Sequence, residues 1–277
     1  MEIEELSGKL TRVRALLPAT GCALVAFSGG VDSTLLLKLA VDALGADRVV
    51  AVTADSASLA REDLADAQML VASLGVEHVI IATAELDNPA YRANAGDRCY
   101  FCKHELFSRM SELAQARGIS CVLYGAIGDD RPEERPGQRA AAEQQVAAPL
   151  QAAGLSKSEV RALARSLGLP NWDRPQNACL SSRVPHGAVV TAAKLGQIEA
   201  AEAALRREGF QQVRVRHLAT HARIEVGAEE VGRFQDTALR ARVAQALQAS
   251  GFQSAGVARS GYQPGGAGQP ADELPLA

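Results

Sequence analysis

Aromatic residues make up only 4% of the 277-residue chain, with a single tryptophan, so the interior cannot rest on ring packing. It must be built from Ala, Leu and Val, which suits helices laid over a parallel sheet. Neither sign of charge predominates. A net charge of −3 gives no electrostatic reason to expect a nucleic-acid partner. No apolar run approaches a membrane span, and Met1 to Lys9 carries no apolar core of signal-peptide length. Those absences predict a cytoplasmic protein with no membrane partner. Five cysteines in such a chain read as thiols or metal ligands, not as a disulfide framework. No internal repeat is present, and the only low-complexity stretch, Gly261 to Pro270, is expected to be mobile.

The chain is organised around Val25-Ala26-Phe27-Ser28-Gly29-Gly30-Val31-Asp32-Ser33-Thr34. An apolar run from Cys22 to Phe27 reads as a buried strand, and Ser33 to Leu44 has helical apolar spacing. The two adjacent glycines between them admit backbone conformations closed to other residues, so several amides can converge on one anion. Ser28, Ser33 and Thr34 add hydroxyls, and the helix start adds its partial positive charge. This predicts a phosphate pocket. It is not a Walker loop, because Gly-x-x-x-x-Gly-Lys-Ser/Thr is absent and no lysine lies in the turn.

Further strands are expected at Arg48–Thr53, Glu77–Ala82 and Cys121–Gly125, with helices at 3–17, 59–74 and 103–117. Strands alternating with helices predict an α/β fold with a doubly wound parallel sheet, its ligand beyond the carboxyl ends of the strands. Helices are expected at 138–145 and 156–167, the latter opening on the capping box Ser156-Lys-Ser-Glu159. Residues 171–187 have little periodicity. From 188 the pattern changes to a small α+β domain: helix 191–208, paired strands 212–217 and 222–226, helix 229–249 and a last strand at 254–258. The expected organisation is a nucleotide domain over 1–170, a cysteine-bearing loop over 171–187, a C-terminal α+β domain over 188–260 and a disordered tail over 261–277.

Several side chains suggest chemistry. Asp32 sits in the helix's first turn, where a magnesium ion would reconcile it with a phosphate, although the helix dipole alone also favours an acid there. Cys99-Tyr100-Phe101-Cys102 places two thiols at chelating distance, as a redox pair, half a zinc site or part of an iron–sulfur site. Cys179 lies in a polar loop four residues before Arg183, the setting of a reactive thiol. Cys22 and Cys121 fall on buried strands and read as small core residues. Three thiols would leave one iron of a cubane cluster open to an exogenous sulfide; alternatively Cys179 acts alone as sulfur donor or nucleophile. In Val213-Arg214-Val215-Arg216-His217 the two arginines share one strand face. Two guanidinium forks suit a phosphate or carboxylates, but periodicity alone reads as a solvated face, with Glu225 pairing across the hairpin.

Ser28-Gly-Gly-Val-Asp-Ser33 resembles the pyrophosphate-binding loop of the ATP pyrophosphatase superfamily. With Gly125-Ala-Ile-Gly-Asp-Asp130, Arg135-Pro136-Gly137, Ala148-Pro149-Leu150, Ala178-Cys-Leu-Ser-Ser-Arg183 and Val213-Arg-Val-Arg-His217, the chain resembles the LarE family of pyridinium-3,5-bisthiocarboxylic acid mononucleotide synthases over nearly all but its tail. The resemblance implies an ATP-dependent sulfur transferase of nickel-pincer cofactor biosynthesis: a carboxylate of a pyridinium biscarboxylate mononucleotide attacks ATP, pyrophosphate leaves, and sulfur then replaces AMP. It implies ATP contacts at Ser28, Gly29, Gly30, Asp32, Ser33, Thr53, Gly125 and Asp130, with magnesium at Asp32. Substrate contacts fall at Arg214 and Arg216, with Arg183 beside them, and the sulfur-bearing position is Cys179. Having Cys99, Cys102 and Cys179, the chain looks like the family's 4Fe-4S type, not the type whose lone cysteine is consumed. A homo-oligomer is also implied. Ile127 departs from the family pattern, which has asparagine there. Rival expectations are a tRNA thiolation enzyme, which needs a basic surface, an ammonia-using synthetase, which needs none of the cysteines, and a non-catalytic nucleotide-binding or zinc-stabilised protein.

Overall fold

Short apolar runs buried on both faces favour parallel strands, and the computed structural model bears this out. It describes residues 2–17, 21–130, 136–175, 178–263 and 268–276. Strands β1 (Ala23–Ala26), β2 (Val49–Asp55), β3 (Glu77–Ala82) and β4 (Cys121–Tyr124) form one parallel sheet in the order β3-β2-β1-β4. Around them lie α1 (Glu2–Leu16), α2 (Val31–Leu44), α3 (Arg61–Ser73), α5 (Arg98–Arg117), α6 (Pro136–Glu143), α7 (Pro149–Ala152) and α8 (Lys157–Ser166), with the short α4 (Pro89–Ala93) between β3 and α5. Leu35, Leu36, Leu37 and Leu39 of α2 are fully buried with Val25, Ala51 and Leu123, a core of aliphatics as the composition requires. All four strands run the same way, so the loops after Ala26, Asp55, Ala82 and Tyr124 emerge at one edge. The expected capping box is present: Ser156 Oγ accepts from the Glu159 amide at 3.4 Å and Glu159 Oε2 from the Ser156 amide at 2.7 Å.

The chain divides into two units, residues 1–85 with 97–177, and residues 86–96 with 178–277. The second has helices α9 (Ala192–Arg207) and α10 (Thr237–Ala249) and a sheet of β5 (Val213–Leu218), β6 (His221–Val226), β7 (Ser254–Ala258) and β8 (Glu273–Pro275), in that order. Only the β6–β7 pair is parallel. Phe210 stacks on Phe234 at 4.9 Å within its aliphatic core.

Four local expectations change. Helix α5 begins at Arg98, not 103, so Cys99 and Cys102 ride on its first turns. The helix expected over 229–249 is broken, because Asp236 Oδ1 caps α10 by accepting from the Ala238 and Leu239 amides at 2.8 and 3.3 Å. The cysteine segment belongs to the second unit from Ala178 onward, and so does the 86–96 insertion. Asn94, left-handed at φ 54° and fully buried, donates through Nδ2 to the Val184, Pro185 and Ala188 carbonyls at 3.3, 2.8 and 3.2 Å. Finally, β7 is not the last strand. The tail returns as β8, antiparallel to β7, because Leu276 is an apolar side chain that the second core buries; of the stretch expected to be mobile, 264–267 lies outside the described residues.

His78 and His217, one in each unit, both have pKa values lowered by burial, His217 also by Lys194. A histidine held neutral in the fold takes up its proton more readily when unfolded, so the contribution is intact above about pH 6.5, the unfolded value, and is lost as pH falls below it. Thermal unfolding midpoints are expected to drop between pH 7.5 and pH 5.5, with a shallower drop in His217→Gln than in the wild type.

Candidate active site

The β1–α2 loop folds on itself before any ligand is considered. Gly29 takes φ +72°, and a Cβ there would stand 3.4 Å from that of Ala67 on α3. The Ser28 amide donates to Ser33 Oγ at 3.3 Å, the two hydroxyl oxygens are 3.2 Å apart, and the Gly30 amide donates to Ser28 Oγ at 3.4 Å. Ser33 and Thr34 hydroxyls both donate to the Gly30 carbonyl at 3.0 Å. Gly30, the N-cap of α2, makes no side-chain cap bond, and Ser28 stays exposed. A glycine turn, clustered hydroxyls and the start of a 14-residue helix are the elements of an anion site.

The other residues expected here take different roles. Thr53 is 2% exposed; its hydroxyl donates to the Phe27 carbonyl at 2.8 Å and lies 2.8 Å from His78 Nε2. That hydroxyl ties β2 to the loop. At Gly125, a Cβ would come 2.9 Å from the Ser33 amide nitrogen, so this glycine makes room for the start of α2. Asp130 Oδ2 accepts from the Ile127 amide at 3.1 Å and closes the turn after β4. Ile127, where the family pattern has asparagine, packs into the first core at 5% exposure.

Asp32 was expected to face magnesium. Instead both its oxygens accept from Lys157 Nζ, at 2.7 and 2.8 Å. The charge of this carboxylate is thus met by an ammonium. Lys157 itself was missed: it read only as the second residue of a capping box, and nothing local marks it as reaching a residue 125 positions away. Its amide is fixed by Asp129 Oδ2 at 2.7 Å.

The second unit holds Cys179, exposed at the N-cap of a 3-10 turn over Leu180–Arg183. Arg183, expected beside the substrate arginines, is 1% exposed. Its Nε and Nη2 donate to Glu202 at 2.8 and 3.1 Å, and its Nη1 donates to the Ala178 carbonyl, to the Cys179 carbonyl at 2.9 Å and to Ser182 Oγ at 3.0 Å. The buried Glu202 demands a countercharge, and the arginine that supplies it pins the cysteine's backbone while leaving the thiol outside. Ser181, on the same turn, lies 2.7 Å from the hydroxyl of buried Tyr91.

Arg214 and Arg216 do share a face, but it is not solvated: they are 5% and 4% exposed. Arg216 Nε donates to Glu225 Oε2 at 2.9 Å, the cross-hairpin pairing expected, and its Nη1 to the Ser182 carbonyl at 3.1 Å. Arg223, which sequence reasoning missed, donates to Glu225 Oε1 at 3.2 Å. The Tyr262 ring lies 5.4 Å from the Arg214 guanidinium and 6.0 Å from that of Arg216. Burial, with Arg183 nearby, pushes the Arg214 guanidinium down to about 10. Arg183, Arg216 and Arg223 pair with the buried carboxylates Glu202 and Glu225, and Arg214, buried on the same strand as Arg216, donates to the Val213 carbonyl at 2.7 Å.

Cys99 is exposed and Cys102 half-buried. One helical turn apart, they suit two ligands of one metal centre, but among the described residues no three Cys, His, Asp or Glu side chains come together as a metal site. Nor is any described helix long and apolar enough to cross a membrane.

Comparison with known proteins fits this geometry. The pyridinium-3,5-bisthiocarboxylic acid mononucleotide synthase of Lactiplantibacillus plantarum is 38% identical over 87% of this chain and 87% of its own length. The chain belongs to this LarE family. It is an ATP-dependent enzyme of the pyrophosphatase-loop class. An uncharacterised protein of Synechocystis sp. is 44% identical over 94% of this chain and 97% of its own. The NAD synthase family matches residues 10–125, and an NH(3)-dependent NAD(+) synthetase of Aeropyrum pernix is 46% identical over 72 residues, 25% of each chain. That narrower likeness ends where the cysteine turn and the arginine strand have yet to begin.

Gly125→Ala is expected to displace the start of α2, costing about 1–3 kcal/mol of stability as overpacking does and weakening nucleotide binding; Lys157→Ala is expected to weaken ATP binding without a comparable loss of stability, since surface ion pairs contribute about 0–1 kcal/mol. Thermal unfolding with and without ATP separates the two outcomes.

Proposed function

We propose that the protein is an ATP-dependent sulfur transferase that converts a carboxylate of pyridinium-3,5-biscarboxylic acid mononucleotide to a thiocarboxylate in nickel-pincer cofactor biosynthesis. The reading is carried by one observation: Arg216, which would hold the substrate phosphate, donates to the carbonyl of Ser182, three residues from the exposed Cys179. An anion-binding strand and a thiol built into one scaffold are what delivery of sulfur to a phosphorylated substrate requires.

In the first step a carboxylate oxygen attacks the α-phosphorus of ATP, the bond to the β-phosphate oxygen breaks, and pyrophosphate leaves with the bonding pair. Amides of Gly29 and Gly30, the hydroxyls of Ser28 and Ser33 and the ammonium of Lys157 would carry the developing charge. Asp32 keeps that ammonium at the loop. In the second step sulfur attacks the acyl adenylate and AMP leaves. Arg214 and Arg216 would hold the substrate phosphate, and Arg183 would keep the cysteine turn in place.

Cys99 and Cys102, with Cys179, would hold a 4Fe-4S cluster, which when bound supplies the transferable sulfide. A second reading uses Cys179 alone, whose thiol is exposed at the start of its turn: Cys179 Sγ attacks the acyl adenylate, a thioester forms as AMP leaves, and loss of the Cα proton with cleavage of the Cβ–S bond leaves a thiocarboxylate and dehydroalanine at position 179. The homo-oligomer that the family implies is part of this proposal.

Cys179→Ala is expected to release pyrophosphate on addition of ATP and mononucleotide but to form no thiocarboxylate; loss of pyrophosphate release in a folded variant would count against the assigned role. Anaerobic reconstitution with iron and sulfide separates the two sulfur sources. Iron retention that Cys99→Ser, Cys102→Ser and Cys179→Ser each abolish supports the cluster, whereas an iron-free wild type that loses sulfur from Cys179 after one turnover supports the sacrificial route.

A further inference from the structure

The turn over 171–174 follows α8 and carries none of the thiols or buried arginines, yet it touches the β1–α2 loop directly. Asn171 is 8% exposed, and its Nδ2 donates to the Gly29 carbonyl and to Thr34 Oγ1, each at 2.9 Å. Three residues on, Arg174 Nη2 pairs with Asp63 at 2.9 Å and Asp66 at 2.8 Å, both on α3. Ala67 of the same helix backs Gly29. The turn is therefore tied at one end to the loop and at the other to the helix behind it.

A trans peptide is planar, so its carbonyl and its N–H point in opposite directions. The Gly29 carbonyl and the Gly30 amide belong to one such plane. Holding the carbonyl on Asn171 aims the Gly30 amide away from Asn171, toward Ser28 Oγ, the acceptor it meets at 3.4 Å. Two adjacent glycines do little to keep that plane from turning over, since neither has a Cβ to oppose it.

We propose that Asn171 is a positioning residue for the first chemical step: it fixes the Gly29–Gly30 peptide so that the Gly30 amide faces the phosphates of ATP. The inference rests on reading this loop as the ATP site. Donors aimed before the reaction stabilise developing charge without reorganisation, and Thr34 Oγ1, as second acceptor, fixes the amide's rotation. An aspartate would fill the same space but set an acceptor against the Gly29 carbonyl.

The test compares wild type with Asn171→Ala and Asn171→Asp, held well below their unfolding temperatures, by amide hydrogen exchange at Gly30 and by the ATP dependence of pyrophosphate release. Both variants are expected to exchange faster at Gly30, to raise KM for ATP and to lower kcat/KM about tenfold or more, as loss of an aimed donor does. A lowered unfolding temperature with unchanged Gly30 exchange and unchanged KM would reduce Asn171 to a structural residue and overturn the proposal, as would wild-type kinetics in Asn171→Asp. If the wild type itself released no pyrophosphate, the ATP reading would fall, while the Gly30 exchange would still decide whether Asn171 orients the loop.

Discussion

Glu202, buried without measurable exposure, is the constraint on which the second unit depends. Its Oε1 accepts from Arg183 Nε and from the Val215 amide at 3.0 Å, and its Oε2 accepts from Arg183 Nη2 and from Arg206 at 3.2 Å. One carboxylate on α9 thereby joins the helix, the arginine-bearing strand β5 and the turn that presents Cys179. Breaking a buried pair of this kind leaves an uncompensated charge and costs about 3–5 kcal/mol, far more than a surface ion pair. The chemistry gains in the same way: a thiol on an irregular turn keeps a fixed place because its own carbonyl is held by the arginine that neutralises Glu202.

The first unit uses the opposite device. Its loop carries no buried charge of its own and relies on glycine freedom restrained from outside, by Ala67 against Gly29 and by Asn171 on the Gly29 carbonyl. Hydroxyls of Ser28, Ser33 and Thr34 are hydrogen-bonded within the loop and tie its turn together. The glycine loop and the cysteine turn thus stand on scaffolds with separate cores.

Much of this was legible in the sequence, for physical reasons. The four parallel strands announced themselves as apolar runs, and Ser28-Gly-Gly-Val-Asp-Ser33 as a turn between strand and helix. Residues whose meaning lies in distant partners did not. Lys157 looked like part of a helix cap, yet it reaches Asp32; Asn171 sat in a stretch without periodicity; and nothing in residues 86–96 marks them as belonging with residues beyond 178. Periodicity and motif spacing do not show which way a polar side chain turns. Thr53 and Arg183 turn inward, because a buried carbonyl or carboxylate claims them first.

Exchange of a carboxylate oxygen for sulfur at the expense of ATP is the reaction proposed for this chain. Its most direct measurement is the mass of the small-molecule product after an anaerobic single turnover of the folded protein with ATP and pyridinium-3,5-biscarboxylic acid mononucleotide, run with and without ammonia. The expected product carries sulfur in place of one carboxylate oxygen and forms together with AMP and pyrophosphate, whether or not ammonia is present. An amide that appears only when ammonia is supplied, with all the protein's sulfur intact, would contradict it.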